Sequence, residues 1–334
     1  MIRHPLAIIL SVAMLLACFI PAAAQVQSSL RFNPEGKLKI VQFTDIHYKH
    51  GKKASRAATE MMDEVLDAEN PDFVIITGDL VYADGVAEAL TELTEPITRR
   101  GLPWAMVFGN HDEQFDMTLP QMYDALQVMP GCIMPPRPMG VDSPDYVIDL
   151  LGSDGSERPV GAFYCLDSHS GARVPGIGKY AWFTYDQIGW YRAQSASRTE
   201  AAGAPLPSLM FMHIPLQEYA AAQGDTRNFL LGTKGEEICC QAANSGMFAS
   251  IKEMGDVFGV FCGHDHDNDF ATQFAGVLLA YGRYSGGKTV YNHLGKNGAR
   301  VIVLYEGEPR LDTWLRLRGG DVINSMQFPV HKKK

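Results

Sequence analysis

From Leu38 onward the chain alternates short apolar runs with longer, polar-faced stretches. Leu38-Lys39-Ile40-Val41-Gln42-Phe43 reads as a β-strand that ends at Thr44-Asp45. Residues 54–69 are compatible with a helix, stopped by Asn70-Pro71 because the residue before a proline is pushed out of the helical region. Phe73-Val74-Ile75-Ile76-Thr77 is a continuous apolar run, the pattern of a strand buried on both faces. A second helix is predicted over 86–100, ended by Gly101 and Pro103, and Trp104 to Phe108 form the third strand. Strands alternating with helices at this spacing predict an α/β fold with right-handed crossovers and a largely parallel sheet.

The pattern then loosens. Residues 129–144 are rich in Pro and Gly, and strands at 146–150 and 161–166 form an antiparallel pair around Gly152-Ser153-Asp154-Gly155. Further strands are predicted at 208–212, 257–262, 274–280, 299–304 and 313–317, making the C-terminal half more hairpin-like. There is no internal repeat and no linker, so residues 25–334 are expected to form a single domain. The first 24 residues stand apart: Arg3 and His4, an apolar run from Leu6 to Ile20, then Pro21 and Ala22-Ala23-Ala24 make a signal peptide. The apolar run is short for a membrane span, and no later segment is long and apolar enough to be one. Export to the periplasm or the extracellular space follows. Leu15-Leu16-Ala17-Cys18 offers a lipoprotein box as the lesser alternative, because the residues after Cys18 are apolar rather than a polar tether. The basic end, His331 to Lys334, reads as solvated tail.

Composition adds limits. With 334 residues, 46% hydrophobic and 20% charged, the chain is ordinary globular material. A net charge of -9 argues against binding a nucleic-acid backbone, which needs a basic stripe. A small phosphorylated substrate stays compatible, since bound cations dominate the local field of a site. Cys132, Cys165, Cys239, Cys240 and Cys262 remain after the leader, an odd number without regular spacing, and assign no disulfide framework.

The chemistry lies at the strand ends. Asp45-Ile46-His47 follows the first strand, Gly78-Asp79 the second and Gly109-Asn110-His111-Asp112 the third. His213 follows 208–212, and Gly263-His264-Asp265-His266 follows 257–262. Open α/β sheets bind ligands just beyond the carboxyl ends of their strands. Carboxylate, imidazole and amide oxygen together suit Mn, Fe or Zn. In Asp-x-His and His-x-His, an extended backbone would turn both side chains to one side, and the glycines would permit sharp turns. Each block alone has a plainer reading as a cap, turn or polar loop; the ordered set of them, holding five of the ten histidines, predicts a metal site.

This order of motifs resembles the calcineurin-like metallophosphoesterase superfamily. The strings FTDIHY, TGDLVY, GNHDE, MHIPLQEY and GHDHDND look most like its purple-acid-phosphatase-like proteins of plants, fungi and bacteria. The resemblance covers about residues 38–317. It implies a four-layer α/β/β/α sandwich with two mixed β-sheets and a dimetal centre at the rim. By position, Asp45, His47 and His266 would hold the first metal, Asn110, His213 and His264 the second, and Asp79 would bridge them. The implied reaction is phosphomonoester hydrolysis by a hydroxide generated at the two metals, with His111 as general acid.

Two departures from relatives matter. Purple acid phosphatases resemble this chain in carrying a Tyr three residues after the bridging Asp, here Tyr82, but they lack the His of the first block. His47 is therefore preferred as ligand and Tyr82 as its neighbour. Phosphoprotein phosphatases carry Asp-Arg where Tyr82-Ala83 stands, which leaves open what orients His111. Glu218 and Tyr219 could line the cleft, with a solvated helix start preferred. Asp267, Asn268 and Asp269 are candidates to support the histidines, or a plain loop. Arg283 in Gly282 to Gly287 is a candidate phosphate contact, with a hairpin loop preferred. The loops over 114–144 and 168–185 are expected to set specificity. Phosphodiester hydrolysis of a nucleotide or lipid headgroup is the near alternative, and a non-catalytic phosphate-binding protein the distant one.

Overall fold

In the computed structural model, which describes residues 29–330, the chain runs through strands and helices in the alternation the pattern predicts. The N-terminal half contains β1 (Ser29–Arg31), β2 (Lys37–Phe43), α1 (Arg56–Glu69), β3 (Phe73–Thr77), α2 (Val86–Thr98), β4 (Trp104–Val107), α3 (Leu119–Gln127), β5 (Tyr146–Leu151) and β6 (Pro159–Cys165). The C-terminal half adds α4 (Tyr185–Ala202), β7 (Ser208–Phe211), α5 (Gln217–Gln223), β8 (Leu230–Leu231), α6 (Met247–Met254) and β9 (Val257–Cys262). It closes with β10 (Ala271–Phe274), β11 (Val277–Tyr281), β12 (Gly298–Tyr305), β13 (Leu311–Leu317) and β14 (Val322–Phe328). The signal peptide, Cys18 and the basic tail lie outside the described residues. No helix among the described residues is long and apolar enough to cross a membrane.

The strands form two mixed sheets, ordered β1-β5-β6-β7-β9-β11-β10-β8 and β14-β13-β12-β2-β3-β4. Helices α1 and α2 cover the smaller sheet, while α4, α5 and α6 cover the larger one, which gives the four-layer sandwich. Strands at the centre are apolar throughout because both faces are covered: β3, β9 and β11 are buried at every position. Near the edge, β13 alternates buried and half-buried residues, the period of a strand with one wet face. Aromatic rings join the sheets: Phe73 of β3 stacks on Phe163 of β6 at 5.9 Å, which in turn meets Phe211 of β7 edge-on at 5.4 Å.

The C-terminal half is hairpin-like where β12, β13 and β14 pair antiparallel, but not throughout. β6, β7, β9 and β11 run parallel through the middle of the larger sheet. Conversely, the single strand expected over 274–280 is a hairpin, β10 and β11, turning at Ala275 and Gly276, both with positive φ. Helix α3 lies inside the expected loop over 114–144, and α4 starts where the expected loop over 168–185 ends. Thr118 and Thr184 each accept the backbone N–H of a Gln three residues on, whose side chain returns the bond, so capping boxes start α3 and α4.

Candidate metal centre

Loops leaving the carboxyl ends of β2, β3, β4, β7 and β9 meet at one rim and carry every candidate ligand. The backbone that presents Asp45 and His47 is not extended as expected. Both residues are left-handed, at φ 53 and 46. The loop beside them imposes this: Asp45 N–H donates to Gly78 O at 3.1 Å, His47 N–H to Asp79 O at 2.9 Å and Tyr48 N–H to Leu80 O at 2.8 Å. Asp79 and His264 are left-handed as well, at φ 54 and 83. Such conformations cost roughly 1–3 kcal/mol each and persist only where the surroundings over-determine them. Gly109 and Gly263 serve close approach rather than turning. A Cβ on Gly109 would lie 2.2 Å from Asp79 Oδ1, and one on Gly263 would lie 1.9 Å from Thr44 Oγ1.

Ligand atoms of Asp45, His47, Asp79 and His266 lie within 4.8 Å of one another, as do those of Asp79, His213 and His264. Asp79 is common to both groups: its Oδ2 is 3.5 Å from His47 Nε2 and 3.3 Å from His213 Nε2. Backbone carbonyls set the tautomers. His213 Nδ1 donates to Thr77 O at 2.7 Å and His266 Nδ1 to Tyr291 O at 3.0 Å, so each turns Nε2 inward. His266 Nε2 then faces His47 Nε2 at 3.0 Å. Asn110 Oδ1, His264 Nε2 and His47 Nδ1 are buried without any hydrogen-bond partner among the described residues. Converging ring nitrogens and carboxylates, with buried polar atoms that hydrogen bonding within the protein leaves unpaired, fit divalent or trivalent cations.

The electrostatics point the same way. Burial drives His47 and His264 well below the usual imidazole range and His266 down to about 4. His213 is also buried, but the Asp79 carboxylate outweighs that and raises it to about 10. Burial likewise works against the charge of Asp79, yet His213 and His47 hold it well below the carboxylate range. Burial pushes Asp45 up to about 7, opposed by His213, and pushes Asp112 to about 7 with help from Asp79.

Asp112 was legible as part of its motif yet had no assigned role. Its fully buried carboxylate accepts N–H bonds from Asp79, Leu80 and Gly109. Asp45 is held similarly: Thr44 Oγ1 donates to it at 2.9 Å and His264 N–H at 3.0 Å. His111 donates its backbone N–H to Asp79 Oδ1 at 2.9 Å and keeps its ring at the half-buried mouth. Tyr82 meets His47 and His111 edge-on, both at 5.0 Å, as a neighbour of the centre. Tyr180 against His264 at 4.5 Å and Tyr291 stacked on His266 at 4.3 Å come from loops with no sequence signal.

Other expectations are corrected. Asp267 holds His293, Asn268 holds the backbone of Gly235 and Glu236, and Asp269 pairs with Arg283; none bonds the site histidines. The buried Arg283 also donates to Leu294 O and Lys296 O, so most of its donors are spent inside the protein. Its loop joins the two sheets rather than forming a hairpin. Glu218 stands in the first turn of α5, as the preferred reading had it, and accepts from Asn244, whereas Tyr219 is core, its hydroxyl donating to Val260 O at 2.8 Å. All five cysteines of the described residues are free.

The loops over 114–144 and 168–185 meet around one cleft. A cleft of about 400 Å³ is lined by Leu119 and Ser143 from the first, His169, Arg173 and Trp182 from the second, and Gly109 and Glu113 beside them. Since Gly109 also packs on Asp79, cleft and metal centre share a wall.

A buried His and Asp cluster able to hold metal, at the rim of a four-layer sandwich, is the arrangement of the metallophosphoesterases. The "Calcineurin-like phosphoesterase" family model matches residues 38–268, and the chain belongs to that family. It is 31% identical to "Probable inactive purple acid phosphatase 29" of Arabidopsis thaliana, covering 92% of this chain and 87% of the relative. It is 30% identical to "Phosphatase DCR2" of Saccharomyces cerevisiae, covering 87% of this chain and 55% of the yeast protein. The fold resembles a dimetal phosphatase from Danio rerio, with a TM-score of 0.59 at 15% identity over 87% of this chain and 98% of the other. It also resembles purple acid phosphatase PPD1 of yellow lupin, with a TM-score of 0.55 at 14% identity over 90% and 54%.

Proposed function

We propose that this chain hydrolyses phosphomonoesters with two metal ions, and that it does so outside the cytoplasm. The observation that carries this reading is the position of Asp79. One carboxylate oxygen lies between His47 and His213, and the other receives the backbone N–H of His111. In this reading Asp45, His47 and His266 hold one cation, Asn110, His213 and His264 the other, and Asp79 bridges them. Bound cations would supply Lewis acidity, lowering the pKa of a water and neutralising phosphate charge.

The chain's own residues do the rest. Tyr291 O and Thr77 O fix the inward nitrogens of His266 and His213, and Asp112 fixes the loop of Asp79. His111, tied to Asp79 through its backbone, gives a proton to the leaving oxygen at the open side. The leaving alcohol lies in the cleft beyond Gly109.

The Arabidopsis relative bears "inactive" in its name, so the test must be turnover. Protein reconstituted separately with Mn, Fe and Zn is assayed on p-nitrophenyl phosphate and bis-p-nitrophenyl phosphate. Preference for the monoester supports the proposal, and preference for the diester replaces it with phosphodiester hydrolysis. Full metal content with no turnover on a broad phosphoester panel makes the chain a binding protein. Recovery of activity from the periplasm or medium, against retention in the cytoplasm, tests the location.

A further inference from the structure

The position that orients the histidine of phosphoprotein phosphatases is Tyr82-Ala83 in this chain, and neither residue bonds His111 among the described residues. Another side chain does. His111 Nδ1 lies 2.8 Å from Gln114 Oε1, and Gln114 Nε2 donates to the backbone carbonyl of Asn110 at 3.2 Å. These two contacts fix each other. A carbonyl only accepts, so the amide nitrogen must face Asn110 and the amide oxygen must face the imidazole. An amide oxygen also only accepts, so Nδ1 must carry hydrogen. The ring is therefore the Nδ1–H tautomer, with Nε2 left to act.

The ring has few other ways to sit. Its backbone N–H is engaged by Asp79 Oδ1, and its faces are bounded by Tyr82 at 5.0 Å and His47 at 5.5 Å. Gln114 also closes a short circuit, from the imidazole of His111 back to the carbonyl of Asn110, a candidate ligand. Turning the imidazole would break that circuit at the metal's own loop.

We infer that Gln114 is the positioning residue for His111, holding hydrogen on Nδ1 so that the proton the imidazolium gives to the leaving oxygen is the one on Nε2. This rests on the phosphoesterase reading above. In the step, the P–O bond breaks with its electron pair going to the leaving oxygen. The Nε2–H proton joins that oxygen, and the imidazolium becomes a neutral ring still donating Nδ1–H to Gln114. Solvent then returns a proton to Nε2. Because an amide is neutral, Gln114 accepts the same hydrogen bond before and after the transfer, and the ring need not move.

The test uses the full mature chain loaded with Zn, and the exposed Gln114 replaced by Leu, Asn or Glu, each variant checked for fold and metal content. Long-range 15N–1H NMR, with His111 assigned by its loss in His111→Asn, reads the tautomer without reference to activity. The Nδ1–H form is expected in the native chain, a mixed population in Gln114→Leu, and recovery in Gln114→Glu. In turnover, Gln114→Leu should lower the ratio of alkyl to p-nitrophenyl phosphate hydrolysis about tenfold or more, since poor leaving groups need the proton most. An unchanged tautomer in Gln114→Leu overturns the inference whatever the rates. A native chain that hydrolyses neither ester overturns the phosphoesterase reading instead, while the NMR result still decides the role of Gln114.

Discussion

Asp112 grips the backbone of Asp79 rather than its side chain. Its carboxylate accepts the N–H of Asp79 at 3.0 Å and of Leu80 at 2.7 Å, and from the neighbouring loop the N–H of Gly109 at 2.8 Å. One buried anion thus fastens the loop after β3 to the loop after β4, which together carry Asp79, Asn110 and His111. An amide cannot replace it, because its NH2 end would confront one of these donors. Asp112→Asn is expected to lose about 1–3 kcal/mol of stability from unpaired buried groups. Metal affinity should fall about 10–100-fold, as when a group supporting ligands is removed. Metal retention against a graded chelator, measured beside thermal unfolding, checks both; native retention would separate this carboxylate from the centre.

Protons compete with the cations. Asp45 is raised to about 7, mainly by burial, and His213 to about 10, by Asp79 against the pull of burial. In metal-free protein a raised His213 stabilises the fold fully below its unfolded value near 6.5, and that stability fades as pH climbs towards 10. The raised Asp45 works in the same sense between about 4 and 7. Metal needs both groups deprotonated, whereas His47, His264 and His266 are already neutral at pH 7. Calorimetric loading at pH 8, repeated in buffers of different ionisation heat, should show about one proton released, from His213. The gap in melting temperature between metal-loaded and chelated protein should widen from pH 6 to 9. No proton release would contradict the pairing of His213 with Asp79.

Asp79 and His111 are adjacent but should fail differently. Asp79→Ala removes the one oxygen common to both ligand groups, and both metal and turnover should go. His111→Ala removes no ligand: metal should stay while kcat drops about 10²–10⁴-fold, the usual worth of a placed general acid. Metal analysis and turnover on the same preparations decide it, and full occupancy in Asp79→Ala would sink the bridging assignment.

Much of the candidate site was readable because polar blocks at strand ends need only the strands to be found. β3, β4, β7 and β9 are largely apolar runs and β2 a β-rich one, and each polar block follows directly. What lay hidden depends on long-range contacts. The left-handed backbone of Asp45 and His47 is imposed by a neighbouring loop, and the tautomers of His213 and His266 by carbonyls at Thr77 and Tyr291. Tyr180 and Tyr291 sit in loops without periodicity. The capping boxes at Thr118 and Thr184, by contrast, were present as Thr-x-x-Gln and would have placed α3 and α4.

Tyr82 offers a spectroscopic test of the first metal position. Its ring lies edge-on to His47 rather than taking the place of that imidazole. Iron-loaded protein should therefore lack the intense visible band of a tyrosinate bound to ferric ion. Tyr82→Phe should leave the spectrum and iron content unchanged, and His47→Ala should lower iron content. A purple native protein bleached by Tyr82→Phe would exchange the roles of the two residues.

Arg283 separates structure from chemistry. It is 3% exposed, pairs with the fully buried Asp269 and donates to Leu294 O and Lys296 O, within the loop that carries the chain from β11 to β12. Asp269 meanwhile accepts Thr233 N–H at 2.7 Å, so the pair fastens three segments together. Removing one partner of a buried pair strands the other charge, which costs about 3–5 kcal/mol. Arg283→Met should show that loss in urea unfolding, and adding Asp269→Leu should recover part of it, because no stranded anion then remains. Activity per folded molecule at saturating p-nitrophenyl phosphate should be unaltered in Arg283→Met. A large rise in KM with normal stability would mean that this guanidinium reaches phosphate after all.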